Sequence, residues 1–240
     1  MTPTHDELVS GLDALLSDTP VVLDAYSANV LVSHLEWVLQ TNESVNLTAL
    51  TSPIEALRLH IVDSVCAAPE VLGAPAGTLI DLGTGGGFPG LPLALVCGRP
   101  AVLLDSVKKK VHALELFLRE HDLDAIGMGL RAEEYAVQSP GQAAVVVARA
   151  VAPMASLVEL AAPILMDGGR LVALKGKRDP DELQDALRTA SRCGMTYHST
   201  REYSLPGGTE DRSVVVFERT GTPDIELPRR VGMAQKRPVR

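Results

Sequence analysis

The sequence is poor in cysteine, in aromatic residues and in long apolar runs. Cys66, Cys97 and Cys193 lie far apart with no CxxC pair, which predicts buried free thiols and no zinc site. Aromatic residues make up 3% of the chain, too few for an extensive base-stacking platform. Polar residues interrupt every apolar run, and no basic start precedes an apolar segment near Met1. These absences predict a cytoplasmic protein with no membrane partner.

What is present favours one folded α/β unit with an added segment. The chain has 240 residues, 46% of them apolar and 22% charged, which suits a single core and a single catalytic site in a monomer. The net charge of −8 argues against binding nucleic acid through broad electrostatic attraction. Residues 226–240 nevertheless contain five basic residues and one acid. A basic tail, residues 221–240, therefore follows an acidic body.

Helical periodicity dominates the first 72 residues. Leucines at helical spacing within residues 5–41 predict two helices. Ser52, Pro53 and Glu55 form a helix-start signal and predict a third helix over 53–68. A small-residue linker at 73–77 then separates this N-terminal helical segment, residues 1–72, from a different pattern.

The linker opens the second predicted unit, the domain of residues 73–220. From residue 78 onward, short apolar runs alternate with helical segments, which predicts a mostly parallel sheet covered on both faces. The last two β-rich runs, joined by a Pro-Gly-Gly turn, predict an antiparallel hairpin at one edge. The predicted strands are 78–82, 101–105, 126–130, 144–149, 170–175, 195–204 and 213–218, and the predicted helices are 89–97, 107–121, 133–138, 153–166 and 179–194.

A glycine-rich loop leaves the first predicted strand and enters a helix. Gly85, Gly87 and Gly90 give the spacing GxGxxG, which allows a backbone to approach a cofactor closely but does not distinguish NAD from S-adenosylmethionine (SAM). Asp81 comes just before the glycines, where a carboxylate attracts an amino-bearing ligand directly or through water. That placement favours SAM over a pyrophosphate.

Polar residues also follow the later strands. Asp105 ends the second strand, 24 residues after Asp81, at the spacing of an acid that binds a ribose diol, or alternatively caps the next helix. Residues 131–134 follow the third strand, as an adenine-contacting loop or a surface acid pair. Arg149 ends the fourth strand and either holds an anionic ligand group or pairs with a loop acid.

Several segments together resemble the RsmG family, also called glucose-inhibited division protein B. They are Asn46-Leu47-Thr48-Ala49, His60-Ile61-Val62-Asp63-Ser64, residues 81–92, Leu104-Asp105-Ser106 with Lys109-Lys110, Arg131-Ala132-Glu133-Glu134, Ala148-Arg149-Ala150, Lys175-Gly176 and the basic ending. The resemblance implies an α/β class I SAM-dependent methyltransferase, with a Rossmann-like, seven-stranded sheet. It also implies methylation of guanine N7 in the decoding-region loop of 16S ribosomal RNA in the small subunit.

The resemblance implies cofactor contacts as well. Gly83, Phe88, Ala132, Glu133 and Arg149 stand at the family's SAM-binding positions, beside Asp81, Gly85 and Asp105 from the loop argument. Ala148 stands where relatives often have Ser, so any role of the serine hydroxyl is lost. Gly86 stands where many relatives have Ala or Pro. The fourth strand lacks the Asn/Asp-Pro-Pro-aromatic motif of exocyclic-amine methyltransferases, which agrees with a different target atom.

Guanine N7 carries a lone pair in the neutral base, so we expect catalysis by positioning, with no obligatory general base. The RNA must be unstacked locally and its phosphates held by cations. Solvated charges are the alternative for the basic residues, and a structural histidine is the alternative for His60. The predicted RNA-side residues are Asn46, Thr48, His60, Asp63, Lys175, Arg178, Arg229, Arg230, Lys236 and Arg237.

Two other functions stay open from the sequence. An NAD-dependent oxidoreductase would use the same glycine loop and Asp105, but the sequence shows no residues arranged for hydride transfer. A non-catalytic SAM-binding protein associated with the ribosome would share every binding motif. Methyl transfer to small subunits separates these alternatives.

Overall fold

The computed structural model describes residues 2–17, 19–177 and 179–240. In these ranges the strands are β1 (Leu79–Leu82), β2 (Ala101–Leu104), β3 (Ala125–Met128), β4 (Ala143–Arg149), β5 (Leu165–Lys175), β6 (Met195–Ser204) and β7 (Asp211–Arg219). They form one seven-stranded sheet in the order β3-β2-β1-β4-β5-β7-β6. Strands β1 to β5 run parallel, and β7 pairs antiparallel with both β5 and β6. The predicted fold class is confirmed.

Helices surround this sheet and precede it. They are α1 (His5–Leu16), α2 (Ala25–Val45), α3 (Pro53–Ala56), α4 (Asp63–Val65), α5 (Ala68–Leu72), α6 (Gly90–Cys97), α7 (Lys108–Glu120), α8 (Ala132–Gln138), α9 (Met154–Ala161), α10 (Pro180–Arg192) and α11 (Met233–Lys236). A π-helical segment, Leu57–Val62, joins α3 to α4. Within the described ranges, every helix is too short or too polar to cross a lipid bilayer.

The sheet separates two apolar cores. Successive strand residues point to opposite faces, so Leu79 packs with Leu35 of α2 and Phe117 of α7 on one side. Ile80 packs on the other side with residues of α8 to α10, including Leu157. The N-terminal helices therefore share a core with the sheet.

The three cysteines are free, as the sequence predicts. Cys66 and Cys193 are buried, and Cys97 is half-buried. Burial raises the pKa of Cys66 and Cys97 to about 11 and that of Cys193 to about 12. All three are therefore neutral thiols near pH 7.

Two predicted elements were wrong in detail. The helix predicted over 53–68 is interrupted by the π-helical segment, a feature that often occurs at functional sites. The helix predicted over 153–166 ends at Ala161, because Pro163 lacks an N–H and restricts the residue before it. Leu165 instead pairs with Ala143, so β5 begins five residues earlier than predicted.

The chain order reverses at β1, which lies between β2 and β4. In open α/β sheets, ligands bind in the crevice outside the carboxyl ends of the strands at this switch point. The loops after β1, β2 and β4 therefore meet at one edge of the sheet.

Candidate functional site

The loop between β1 and α6 depends on glycine and on Asp105. Gly83, Gly85 and Gly87 have φ angles of 72°, 57° and 100°, which favour glycine. The Asp105 carboxylate accepts a hydrogen bond from the Gly85 N–H at 3.0 Å and another from the Val107 N–H at 2.8 Å. Asp105 thus fixes the loop and the approach to α7. Its oxygens retain lone pairs for a ligand.

Asp81 lies beneath this loop and not beside an open cavity. It is fully buried, and its Oδ2 accepts the Gly90 N–H at 2.9 Å. Burial raises the pKa of Asp81 to about 6. Its Oδ1 has no hydrogen-bond partner among the described residues. In this structure Asp81 acts on the loop through Gly90, which corrects the expectation of direct ligand contact, and contact through water stays a prediction.

His34 supports the same loop from α2, and the sequence analysis missed it. Its Nε2 lies 2.7 Å from the Gly86 carbonyl oxygen. Because a carbonyl only accepts, Nε2 carries the proton. Burial lowers the pKa of His34 to about 3, so the ring is neutral. A Cβ on Gly87 would lie 2.8 Å from His34 Nε2, so this contact requires glycine there.

A cavity at this edge, here called the large cavity, has a volume of about 570 Å³. The glycine loop forms one wall, the N-terminal segment a second, and the ends of β4, β5 and β7 a third. Its lining includes both apolar and charged side chains. The residues are Leu47, Leu50, Leu59, His60, Asp63, Gly83, Thr84, Gly85, Gly86, Phe88, Arg149, Ala150, Leu174, Lys175, Gly176 and Arg212.

A carboxylate between two arginines forms the charged wall of the large cavity. Asp63 is 5% exposed. Its Oδ2 accepts from Arg149 at 3.2 Å, and its Oδ1 accepts from Arg212 at 2.9 Å. Arg149 also donates to the Leu59 carbonyl at 2.8 Å. Arg149 therefore pairs with an acid, as the alternative expected, but the acid lies on α4 and not on a loop. The guanidinium still lines the cavity.

His60, on the π-helical segment, joins the charged and apolar walls. Its Nδ1 lies 3.2 Å from Arg149 and its Nε2 lies 2.7 Å from the Thr48 hydroxyl. The ring stacks on Phe88 with centroids 4.7 Å apart. Burial, with a smaller effect of the Arg149 charge, lowers the pKa of His60 to about 4. His60 is a neutral acceptor toward Arg149, and Thr48 orients it.

A second opening, the small cavity of about 70 Å³, lies beyond Gly83. Gly83 lines both cavities, and Val151 packs on it: a Cβ at Gly83 would lie 2.6 Å from the Val151 side chain. The predicted adenosine-side residues meet here. The small cavity is lined by Leu82, Gly83, Leu104, Asp105, Ser106, Leu130, Arg131, Ala132, Glu133, Val151, Leu160 and Gln235.

The basic tail differs from the expectation. Arg229 makes two hydrogen bonds of 2.7 Å to Glu159, which is 2% exposed. Its guanidinium therefore fixes the tail to α9 and is not available to bind an RNA phosphate. Arg230, Lys236 and Arg237 are exposed. Their RNA contacts stay predictions.

Of the other predicted RNA-side residues, some line the large cavity and some lie outside its lining. Lys175 lines the large cavity but donates to Glu182 at 2.7 Å. Asn46 ends α2 with φ 56° and is exposed outside the cavity lining. Arg178 lies outside the described residues. Arg212 and the cavity leucines of the N-terminal segment, Leu47, Leu50 and Leu59, were missed as site residues. No local pattern marks a side chain that becomes important only when β7 and the N-terminal segment meet.

The strand order, the glycine loop after β1 and the acid after β2 define a class I methyltransferase. Among solved structures, geranyl diphosphate methyltransferase in complex with GPP and sinefungin is similar with a TM-score of 0.58 and 13% identity. The match covers 83% of this chain and all of that chain. At this identity the likeness shows the fold alone.

The particular family follows from the sequence comparisons. The family model for GidB, rRNA small subunit methyltransferase G, matches residues 27–214. Ribosomal RNA small subunit methyltransferase G of Streptococcus sanguinis is 34% identical, covering 94% of this chain and 97% of that protein. The Desulfitobacterium hafniense protein of the same name is 32% identical over the full length of both. The chain belongs to the rRNA small subunit methyltransferase G family, as the resemblance implied, and is a methyltransferase.

Proposed function

We propose that this protein transfers the methyl group of SAM to N7 of a guanine in the decoding-region loop of 16S ribosomal RNA. The observation that carries the proposal is the pair of cavities meeting at Gly83. One is small and rimmed by the residues expected at an adenosine. The other is large enough for a nucleobase and opens beside the glycine loop. Family membership supplies the RNA class, and the two-part cleft supplies a place for both reactants.

The residues fit SAM at both ends of the cleft. Asp105, Ala132 and Glu133 would hold the adenosine in the small cavity, and Gly83, Gly85 and Phe88 would border the methionine part. The site has room for a ligand at Gly85, because a Cβ there would point into open space. When bound, SAM supplies a methyl group made electrophilic by the sulfonium. The guanidinium of Arg149, already oriented by Asp63, would hold the ligand carboxylate.

The large cavity suits an unstacked base. Leu47, Leu50 and Leu59 form an apolar surface, and the stacked His60 and Phe88 rings stiffen the opposite side. Such surfaces hold bases that have left a helical stack. Arg212 and Lys175 lie on the same lining, where cations would neutralise the flanking phosphates.

The chemistry required of the chain is positioning. Guanine N7 attacks with its own lone pair, so no side chain needs to remove a proton first. His60, neutral and bound to both Arg149 and Thr48, fixes the wall and is not free to act as a base. Holding two reactants in line removes much of the entropic barrier of a bimolecular reaction.

The test is methyl transfer from radiolabelled SAM to small subunits purified from a strain that lacks its own enzyme of this family. N7-specific cleavage and primer extension would then locate the modified base. We expect label at one guanine of the decoding-region loop. Label elsewhere would overturn the assigned target, and SAM binding without transfer would favour the non-catalytic alternative.

A further inference from the structure

The segment 228–240, here called the C-terminal strap, is fastened across α8 and α9. Besides the Arg229–Glu159 pair, the Val239 N–H donates to Glu159 Oε2 at 2.9 Å. Arg229 also donates to the Arg237 carbonyl at 2.6 Å, which closes the strap into a loop. A buried charge persists only when it is paired and hydrogen-bonded. The buried Glu159 therefore binds the strap at both of its ends.

The middle of the strap is fixed against the small cavity. Gly232, with φ 80°, turns the chain into α11 and donates its N–H to Glu133 Oε1 at 2.7 Å. Ala234, on α11, is 2% exposed within the core beneath α9. With the residues on either side so fixed, Gln235 lines the small cavity together with Asp105 and Glu133.

Gln235 differs from the exposed cations of the strap because it is the strap residue that lines the small cavity. Its amide makes no hydrogen bond to any residue in the described ranges. Glu133, in contrast, has already given one carboxylate oxygen to the strap. A primary amide presents a donor and an acceptor side by side, the pair that matches the N6 amino group and N7 of adenine.

We propose that the strap completes the cofactor site and that Gln235 recognises the adenine edge through its side-chain amide. The inference rests on the proposed use of SAM. It gives the tail a role in cofactor selection that is separate from RNA binding by its exposed cations. Gln235 is then a specificity-determining residue contributed by a segment that begins more than 120 residues after Asp105 in sequence.

The test compares two ligands that differ only at the base: S-adenosylhomocysteine and S-inosylhomocysteine, whose six-position carries a carbonyl oxygen. Calorimetric titration of the full-length protein gives both dissociation constants for the wild type, Gln235→Ala and Gln142→Ala. Gln142 is an exposed glutamine at the opposite edge of the sheet, where β4 begins, so it is the matched control.

We expect Gln235→Ala to weaken S-adenosylhomocysteine binding about tenfold, the loss expected for a bidentate adenine contact. The preference for adenine over hypoxanthine should shrink by a similar factor. Gln142→Ala should leave both constants unchanged. A strap that merely stiffened the fold would weaken both ligands equally and keep the preference.

An unchanged preference in Gln235→Ala would overturn the inference. If the wild type bound neither ligand, the proposed SAM-dependent function itself would fail, and the two failures are thereby distinguishable. Because Gln235 is exposed and bonds to no described side chain, loss of folding does not complicate the comparison. Unfolding midpoints of the three proteins verify this.

Discussion

Asp63 is the residue whose charge holds the large cavity together, because it pairs with arginines from β4 and from β7. Replacing it by Asn removes the charge and leaves two largely buried guanidinium groups without compensation. We expect Asp63→Asn to lower the free energy of unfolding by about 3 kcal/mol, as for a buried pair that loses one partner. Urea denaturation followed by circular dichroism measures this loss.

Asp185→Asn provides the control for that prediction. Asp185 pairs with Arg188 on the surface of α10, where both side chains are more than one-third exposed. Exposed pairs contribute little, so we expect a loss of about 0.5 kcal/mol or less. Equal losses in the two variants would show that Asp63 is not a buried charge of the kind described here.

The glycine loop requires close contact between α6 and β1, which Gly90 makes possible. A Cβ on Gly90 would lie 2.5 Å from the Asp81 Cβ and 2.6 Å from the Leu103 side chain. Gly90→Ala should therefore push α6 away from the sheet, cost about 2 kcal/mol of stability and abolish binding of S-adenosylhomocysteine. Calorimetry and urea denaturation measure the two effects.

A Gly→Ala substitution inside α1 should instead increase stability. Gly11 lies inside α1, and a Cβ there would meet only the Leu57 side chain at an ordinary 3.6 Å. Because alanine favours helix more than glycine does, Gly11→Ala should stabilise the protein by up to about 1 kcal/mol. If Gly90→Ala were also stabilising and still bound the ligand, the packing argument would be wrong.

The strap is a second element whose attachment is testable. Arg229→Met alone leaves Glu159 buried without its partner and should cost about 3 kcal/mol. Adding Glu159→Leu removes the unpaired charge and should recover most of this stability. The double variant should still bind S-adenosylhomocysteine more weakly than the wild type, because the strap has lost its anchor.

Hydrogen exchange reports the strap directly in that double variant. The Gly232 amide, bonded to Glu133, should exchange faster than in the wild type, while amides of β4 stay protected. Unchanged exchange at Gly232 would show that the Arg229–Glu159 pair does not anchor the strap.

For the molecule as a whole, the buried His34 and the half-buried His60 make stability depend on pH. The pKa of His34 falls to about 3 and that of His60 to about 4, from 6.5 in the unfolded chain. The unfolded state therefore binds more protons as the pH falls below 6.5, and stability is lost. Asp81 acts oppositely, since its pKa rises to about 6 and its native state gains a proton.

The two histidines lower stability as the pH falls, whereas Asp81 raises it, so the net effect of acidification is a loss of stability. We expect the free energy of unfolding to fall on the order of 1 kcal/mol per pH unit between pH 6 and 5. Urea denaturation at both pH values measures it. His60→Gln, which does not titrate, should flatten the slope. A steeper slope in that variant would contradict the neutral state of His60.

The sequence by itself determined the elements that depend on near neighbours. Apolar runs covered on both faces specify the parallel strands, and Ser52 with Pro53 starts α3 because a cap acts within one helical turn. The glycine loop was equally predictable, since left-handed φ angles are a local requirement. The family motifs then pointed to residues that line the large and the small cavity.

Only the tertiary structure decided which charges pair with which. Arg212 meets Asp63 across 149 positions of sequence, and Arg229 meets Glu159 across 70. A salt bridge depends on which side chains the fold brings within about 4 Å, and sequence spacing carries no record of that. The same reason made Arg229 a strap anchor when charge alone predicted an RNA contact, and it placed Gln235 on the lining of the small cavity.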